Sequence, residues 1–233
     1  MLVVELTLAA LTLGGLYALI AMGLTLQYGV ARIMNLSHGE FMIGAAFFAF
    51  TLVTQQGVNP LLALALAMPL GFVIQWLVYQ VLMTPLVRRS ASPGALEVDS
   101  ILATFGLLFI VQGLALVVFG GGYHSYSYLS QPIDILGTPV AANRLLAAAF
   151  AIVIGLGVYF TLFYSRWGIA MRAMANAPKF AHLVGIAPRQ MAAIAFALGG
   201  SLVVGAGVLV SMFLPFSASM GVVFTMKALV IVI

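Results

Sequence analysis

The sequence predicts an all-α polytopic transmembrane helix bundle, and three observations carry the prediction. Hydrophobic residues fill 64% of the 233 positions and charged residues only 6%, against about 45–50% and about 25% in soluble domains. Nine Lys+Arg and five Asp+Glu cannot cover the surface that a soluble domain of this size turns to water. The apolar residues come in long unbroken runs with a mean hydropathy of +1.20, not in the alternations of roughly ten residues that mark a barrel strand. At about 20 residues per span there is room for roughly six to eight helices.

The spans are read at approximately 6–27, 37–56, 61–87, 100–119, 145–164 and 191–214, in a single transmembrane domain over 1–233. The first is taken as a helix and not as a cleaved leader. Glu5 stands just ahead of it, no cation precedes it, and its apolar run outlasts a signal h-region. The second follows a polar group of Arg32, Asn35, Ser37, His38 and Glu40, and the third is bounded by Asn59-Pro60 and by Arg88-Arg89. A further span starts near Gly221 and reaches only Ile233, roughly half the length a crossing needs. With no cap or polar tail there, the chain is expected to be truncated at its C-terminal end. Small residues recur every four positions at Ala10/Gly14/Ala18, Ala147/Ala151/Gly155 and Ala197/Ser201/Gly205, stripes that let helix backbones approach closely in lipid.

Orientation follows from Lys and Arg in short loops. The loop with Arg88 and Arg89 and the loop with Arg166, Arg172, Lys179 and Arg189 are two spans apart, and Gly120–Asn143 between them has no cation. Both basic loops are therefore expected on the cytoplasmic side, with the Tyr-rich loop outside. The amino terminus then lies outside if 32–40 is a plain turn, and inside if that segment is re-entrant.

Composition also excludes function classes. Arg88-Arg89 is the longest run of cations, too short for a nucleic-acid face. Zero cysteines and three scattered histidines leave no thiolate chemistry and no His-rich metal site. No Walker loop, no Ser-His-Asp order and no paired carboxylates occur, so neither ATP hydrolysis nor other catalysis is expected of this chain, and no cofactor. An ion-coupled secondary transporter wants ionisable residues inside its spans. Only Glu40 and Lys227 come close.

Two segments stand out. Ser37-His-Gly-Glu40 has the spacing of a capping box, in which Ser37 bonds the amide three residues on and Glu40 reaches back. The plain reading is a helix start. The functional one is that a helix end with its partial positive charge borders a transport path, lined by Asn35, Ser37, His38, Gly39 and Glu40. Further on, Asn176-Ala-Pro178 reads as a helix start and Gly185 as its left-handed stop. Phe180, Leu183 and Val184 fall between them at i, i+3 and i+4 on one apolar face, flanked by Arg172, Lys179 and Arg189. Such a helix lies on anionic headgroups or docks in a groove of a soluble partner.

Gly23-Leu-Thr-Leu-Gln-Tyr-Gly-Val-Ala-Arg-Ile-Met-Asn-Leu-Ser-His-Gly-Glu-Phe41 resembles the amino-terminal signature of the branched-chain amino acid permease subunits of bacterial ABC importers. Arg166-Trp-Gly-Ile-Ala-Met-Arg-Ala173, with Ala181-His-Leu-Val-Gly-Ile186, is similar to that family's coupling segment. Pro215 through Gly221 to Lys227-Ala228 resembles its late P…G…KA stretch. The resemblance implies a permease of the bacterial inner membrane that moves branched-chain amino acids by alternating access. It pairs with a second permease or with itself, with two cytoplasmic ATP-binding subunits, and with a periplasmic substrate-binding protein. Arg166, Gly168, Arg172, Lys179, Phe180, Ala181, Leu183 and Gly185 would form the segment that couples to the ATPase. Related permeases serve urea, sugars and nucleosides, so substrate stays open within the class. Met174-Ala-Asn-Ala-Pro178 departs from the family in lacking an acidic residue often found there.

Overall fold

Where lipid is the solvent, backbone polar groups must be satisfied within the chain, and a long helix does this by itself. The computed structural model describes residues 2–90, 92–135, 138–178 and 180–233, the side chains of 2–5, 93, 135 and 138 apart. Its helices are α1 (Leu2–Ala31), α2 (His38–Gln56), α3 (Pro60–Arg89), α4 (Pro93–Phe119), α5 (Ala142–Tyr164), α6 (Arg166–Asn176), α7 (Pro188–Ser211) and α8 (Gly221–Val232). Within these, Leu6–Ala31, all of α3, Gly94–Phe119, all of α5 and all of α7 are long and apolar enough to cross a membrane. The chain is an all-α polytopic membrane bundle.

The bundle is built around α7. Of its apolar window 89% is buried within the chain, against 11% for α4 and for α5. Small residues explain the difference. Gly199 of α7 lies on the backbone of Gly23 in α1, and Gly207 on that of Met42 in α2, so neither position has space for a Cβ. On a third side the Ser201 hydroxyl donates to the Met68 carbonyl of α3 (2.8 Å). The stripes Ala147/Ala151 and Ala197/Ser201/Gly205 are buried in these seams, whereas Ala10, Gly14 and Ala18 are exposed. On α1 it is the opposite face, with Leu16, Leu19, Ile20 and Leu24, that packs inward.

α3 starts on Asn59, whose side chain accepts from the Leu61 amide (2.9 Å). It widens into a π turn over Tyr79–Met83 before its last turn. Arg32, Ser90, Pro178 and Arg189 line one cleft, so the loops that carry cations meet at one end of the bundle. At the other end the Tyr-rich loop is pinned to the helices. His124 and Phe216 exchange backbone bonds (2.8 and 3.0 Å), Tyr126 bonds Ser211 (2.9 Å), and Tyr128 donates to Asn59 (3.1 Å). A short hairpin of β1 (Pro132–Ile135) and β2 (Thr138–Ala141) follows, with Ile133 opposite Val140. Phe47 of α2 stacks on Phe119 (4.1 Å between centroids) and meets Phe216 edge-on.

Candidate transport path and coupling turn

The stretch 32–37 turns back into the bundle. Arg32 takes the left-handed conformation (φ 56°), costly for a residue with a Cβ, and its guanidinium donates to the Ala175 carbonyl at the end of α6 (3.4 Å). Six residues later the His38 ring meets the Ile20 carbonyl of α1 (3.1 Å). Ile20 stands above Ala31 by about 16 Å of helix, a climb that six extended residues at about 3.3 Å each can make. A non-helical climb through a membrane bundle is tolerated only when its amides find partners. Two hydroxyls of α4 provide them. Thr104 accepts from Leu36 N–H (3.0 Å) and Ser100 from Met34 N–H (3.3 Å). The Asn35 side-chain oxygen takes both the amide and the hydroxyl of Ser37 (3.1 and 2.6 Å).

The expected capping box does not form. Ser37 makes no side-chain cap bond to α2, because Asn35 already holds its hydroxyl. Glu40 does not reach back either. Its carboxyl lies against Gly221 in the first turn of α8, where the Val222 amide is its partner. In return the Thr225 hydroxyl of α8 accepts from the Gly39 amide of α2 (2.8 Å). Two helices that start inside the bundle thus cap each other. Gly39 and Gly221 make this contact possible, since a Cβ on Gly39 would overlap the Gly221 carbonyl. Asn35, Ser37 and His38 have no exposed surface, and Glu40 has 1%. Asn35 Nδ2, His38 Nδ1 and Glu40 Oε1 are nevertheless left without a partner, and buried polar atoms in that state are rare in native proteins.

The second segment is an elbow at the basic end. Ser165 caps α6 by accepting from the Gly168 amide (3.0 Å), and Gly168 rests on the backbone of Thr161 and Leu162. Gly168, Met171 and Met174 form the buried side of α6. Asn176 ends this helix, where a helix start was expected. Pro178 bars the residue before it from the α region, and Ala177 sits at φ −139°, ψ 63°. A single 3-10 turn, Ala181–Val184, replaces the expected short helix, and it stops at Gly185 in the left-handed region (φ 76°) as expected. The Ile186 amide closes the stop on the Ala181 carbonyl (3.2 Å), a bond spanning six residues that is typical of glycine-stopped helices. Ala181 is buried, while Phe180, Leu183 and Val184 are 66%, 71% and 72% exposed. Arg166 is exposed. Arg172 is exposed too, but its guanidinium lies over the Phe163 ring (4.8 Å) and donates to the Phe163 carbonyl (3.3 Å). Lys179 lies outside the described residues. No group of three His, Asp or Glu suited to a metal occurs among the described residues.

Site residues that sequence reasoning missed are Thr225, Ser100 and Thr104. Ser100 and Thr104 carry a legible signal, two hydroxyls four positions apart on one stripe of an otherwise apolar run.

The family model described as "Branched-chain amino acid transport system / permease component" matches residues 6–233. The chain belongs to this permease family. It is 26% identical over 202 residues to the probable branched-chain amino acid transport permease protein LivH of Methanocaldococcus jannaschii, covering 85% of this chain and 63% of that protein. To the high-affinity branched-chain amino acid transport system permease protein BraD of Pseudomonas aeruginosa it is 27% identical, covering 87% and 68%. To the protein LivH of Salmonella typhimurium, of the same description, it is 30% identical with the same coverage. The chain thus spans about two thirds of the length of these permeases. No solved structure gives a significant match.

Proposed function

We propose that residues 1–233 form one transmembrane domain of the permease subunit of an ABC importer, carrying branched-chain amino acids across the bacterial inner membrane. Cytoplasmic ATP-binding subunits, a second permease subunit or a second copy, and a periplasmic substrate-binding protein complete the machine. The observation that carries this reading is the elbow: three exposed apolar side chains, Phe180, Leu183 and Val184, held on a 3-10 turn that Gly185 stops at the basic end. Apolar anchors of this kind, rimmed by charge, are what a partner's groove buries at the centre of an interface. The mutual cap between α2 and α8 is then the path's closed gate. Opening it frees the amides of two helix starts, whose partial positive charge suits a substrate carboxylate. Arg32 links the two sites, because it holds the last turn of α6 and begins the climb to the gate.

Phe180→Ala and Leu183→Asp test the reading. Both are expected to insert normally, to lose the co-purifying ATP-binding subunits, and to abolish substrate-stimulated ATP hydrolysis. Normal retention and normal coupled turnover in both variants would overturn it.

A further inference from the structure

The cleft at the basic end is a cavity of about 610 Å³, several times the volume of an amino acid. Its walls carry both signs of charge. Arg32 and Arg189 face it from the foot of α1 and the start of α7, and Glu97 from the first turns of α4, with Tyr28 beside it. These charges are not spent on one another. Glu97 accepts from the Tyr28 hydroxyl (3.1 Å), Arg32 donates to a backbone carbonyl (3.4 Å), and among the described residues no ion pair joins Glu97 to either arginine. The second large cavity, about 520 Å³ between α1, α3, α5, α6 and α7, is walled by side chains such as Leu26, Phe72 and Met171 and offers no charge at all. A cleft with an oriented carboxylate and two guanidinium groups, neither of them paired with that carboxylate, matches a small zwitterion. The ligand's carboxylate would go to an arginine in charge-assisted bonds, and its ammonium to Glu97. Position points the same way, since Arg32 lines the cleft and starts the segment that ends at the gate.

We infer that this cleft is an inward-facing binding vestibule for zwitterionic amino acids, with Glu97 and Tyr28 holding the α-ammonium and Arg32 and Arg189 the α-carboxylate. The inference rests on the permease reading for its direction of use, but its chemistry is tested separately. Residues 1–233 hold no cysteine, so Ser92→Cys on the cleft wall gives one labelling site within the purified chain. Leucine should slow maleimide labelling there. N-acetyl-leucine, which lacks the ammonium, and leucine amide, which lacks the carboxylate, should each need roughly tenfold or more higher concentration for the same protection. Adding Glu97→Gln should weaken leucine by a similar factor and leave N-acetyl-leucine unchanged. Arg189→Gln should do the reverse, weakening N-acetyl-leucine and sparing leucine amide, and it serves as the test if Glu97→Gln does not insert. Equal protection by all three ligands, protection by none, or loss of discrimination by neither variant would overturn the vestibule. ATP-driven leucine uptake in cells separates the two claims. Uptake without protection removes the vestibule alone, while protection without uptake removes the transport reading alone.

Discussion

The chain reverses direction without regular helix at 32–37 and at 177–187, and the two reversals are built in opposite ways. The first is polar and sealed: Asn35, Ser37 and His38 have no exposed surface, and side chains of another helix bond its amides. The second is apolar and bare: Phe180, Leu183 and Val184 face outward, and the amides of Phe180, Leu183, Gly185 and Ile186 bond within the turn. Each is costly by the ordinary rules of its surroundings, a polar group in the membrane interior and an apolar cluster at its edge. The difference teaches where each has its partner. The amides of Met34, Leu36 and Ser37 in the inner reversal are met by the chain's own side chains, and it can open only if those bonds break, while on the proposed reading the outer one is left for another molecule.

Three substitutions sharpen that contrast, taken from the largest effect to the smallest. Gly39→Val should be the most damaging, because its side chain would overlap the Gly221 carbonyl where α2 and α8 cap each other. A loss of about 1–3 kcal/mol or more is expected, read as a drop in melting temperature together with loss of uptake. Next comes Thr104→Val, which keeps shape but removes the acceptor of the Leu36 amide. Leaving that part-buried amide without its acceptor should cost about 1 kcal/mol or more, and Thr104→Ser should restore both stability and uptake. A Thr104→Ser variant as impaired as Thr104→Val would show that the methyl group matters and the hydroxyl does not. Smallest is Gly185→Ala at the elbow, where the left-handed conformation penalises a Cβ by about 1 kcal/mol. Its thermal stability should barely fall, because the turn is exposed and opens locally. Retention of the ATP-binding subunits should fall more. If stability and retention fall in proportion, the elbow is no interface.

Long apolar runs made the helices legible, because length and hydropathy are local properties of the sequence. Depth was not legible. Nothing within 32–40 shows that α2 starts level with Ile20 of α1, since that register depends on hydroxyls of Ser100 and Thr104 far along the chain. The capping box failed for the same reason: Ser37 and Glu40 have the right spacing, but Asn35 and the start of α8 compete for them and win. At the elbow the error was local. Asn59-Pro60 and Asn176-Ala-Pro178 look alike, yet proline directly after the cap starts a helix. Proline two residues later forces the residue before it out of the α region and ends one.

The central claim is that the exposed elbow works the sealed gate. Ser37→Cys tests it most directly, being a near-isosteric thiol at a position with no exposed surface in an otherwise cysteine-free chain. In the assembled transporter, maleimide labelling at this site should be slow at rest and speed up when ATP and loaded binding protein are supplied. Adding Phe180→Ala should return the rate to the resting value. Labelling that is equally slow with and without ATP, or equally fast with Phe180→Ala present, would contradict the account.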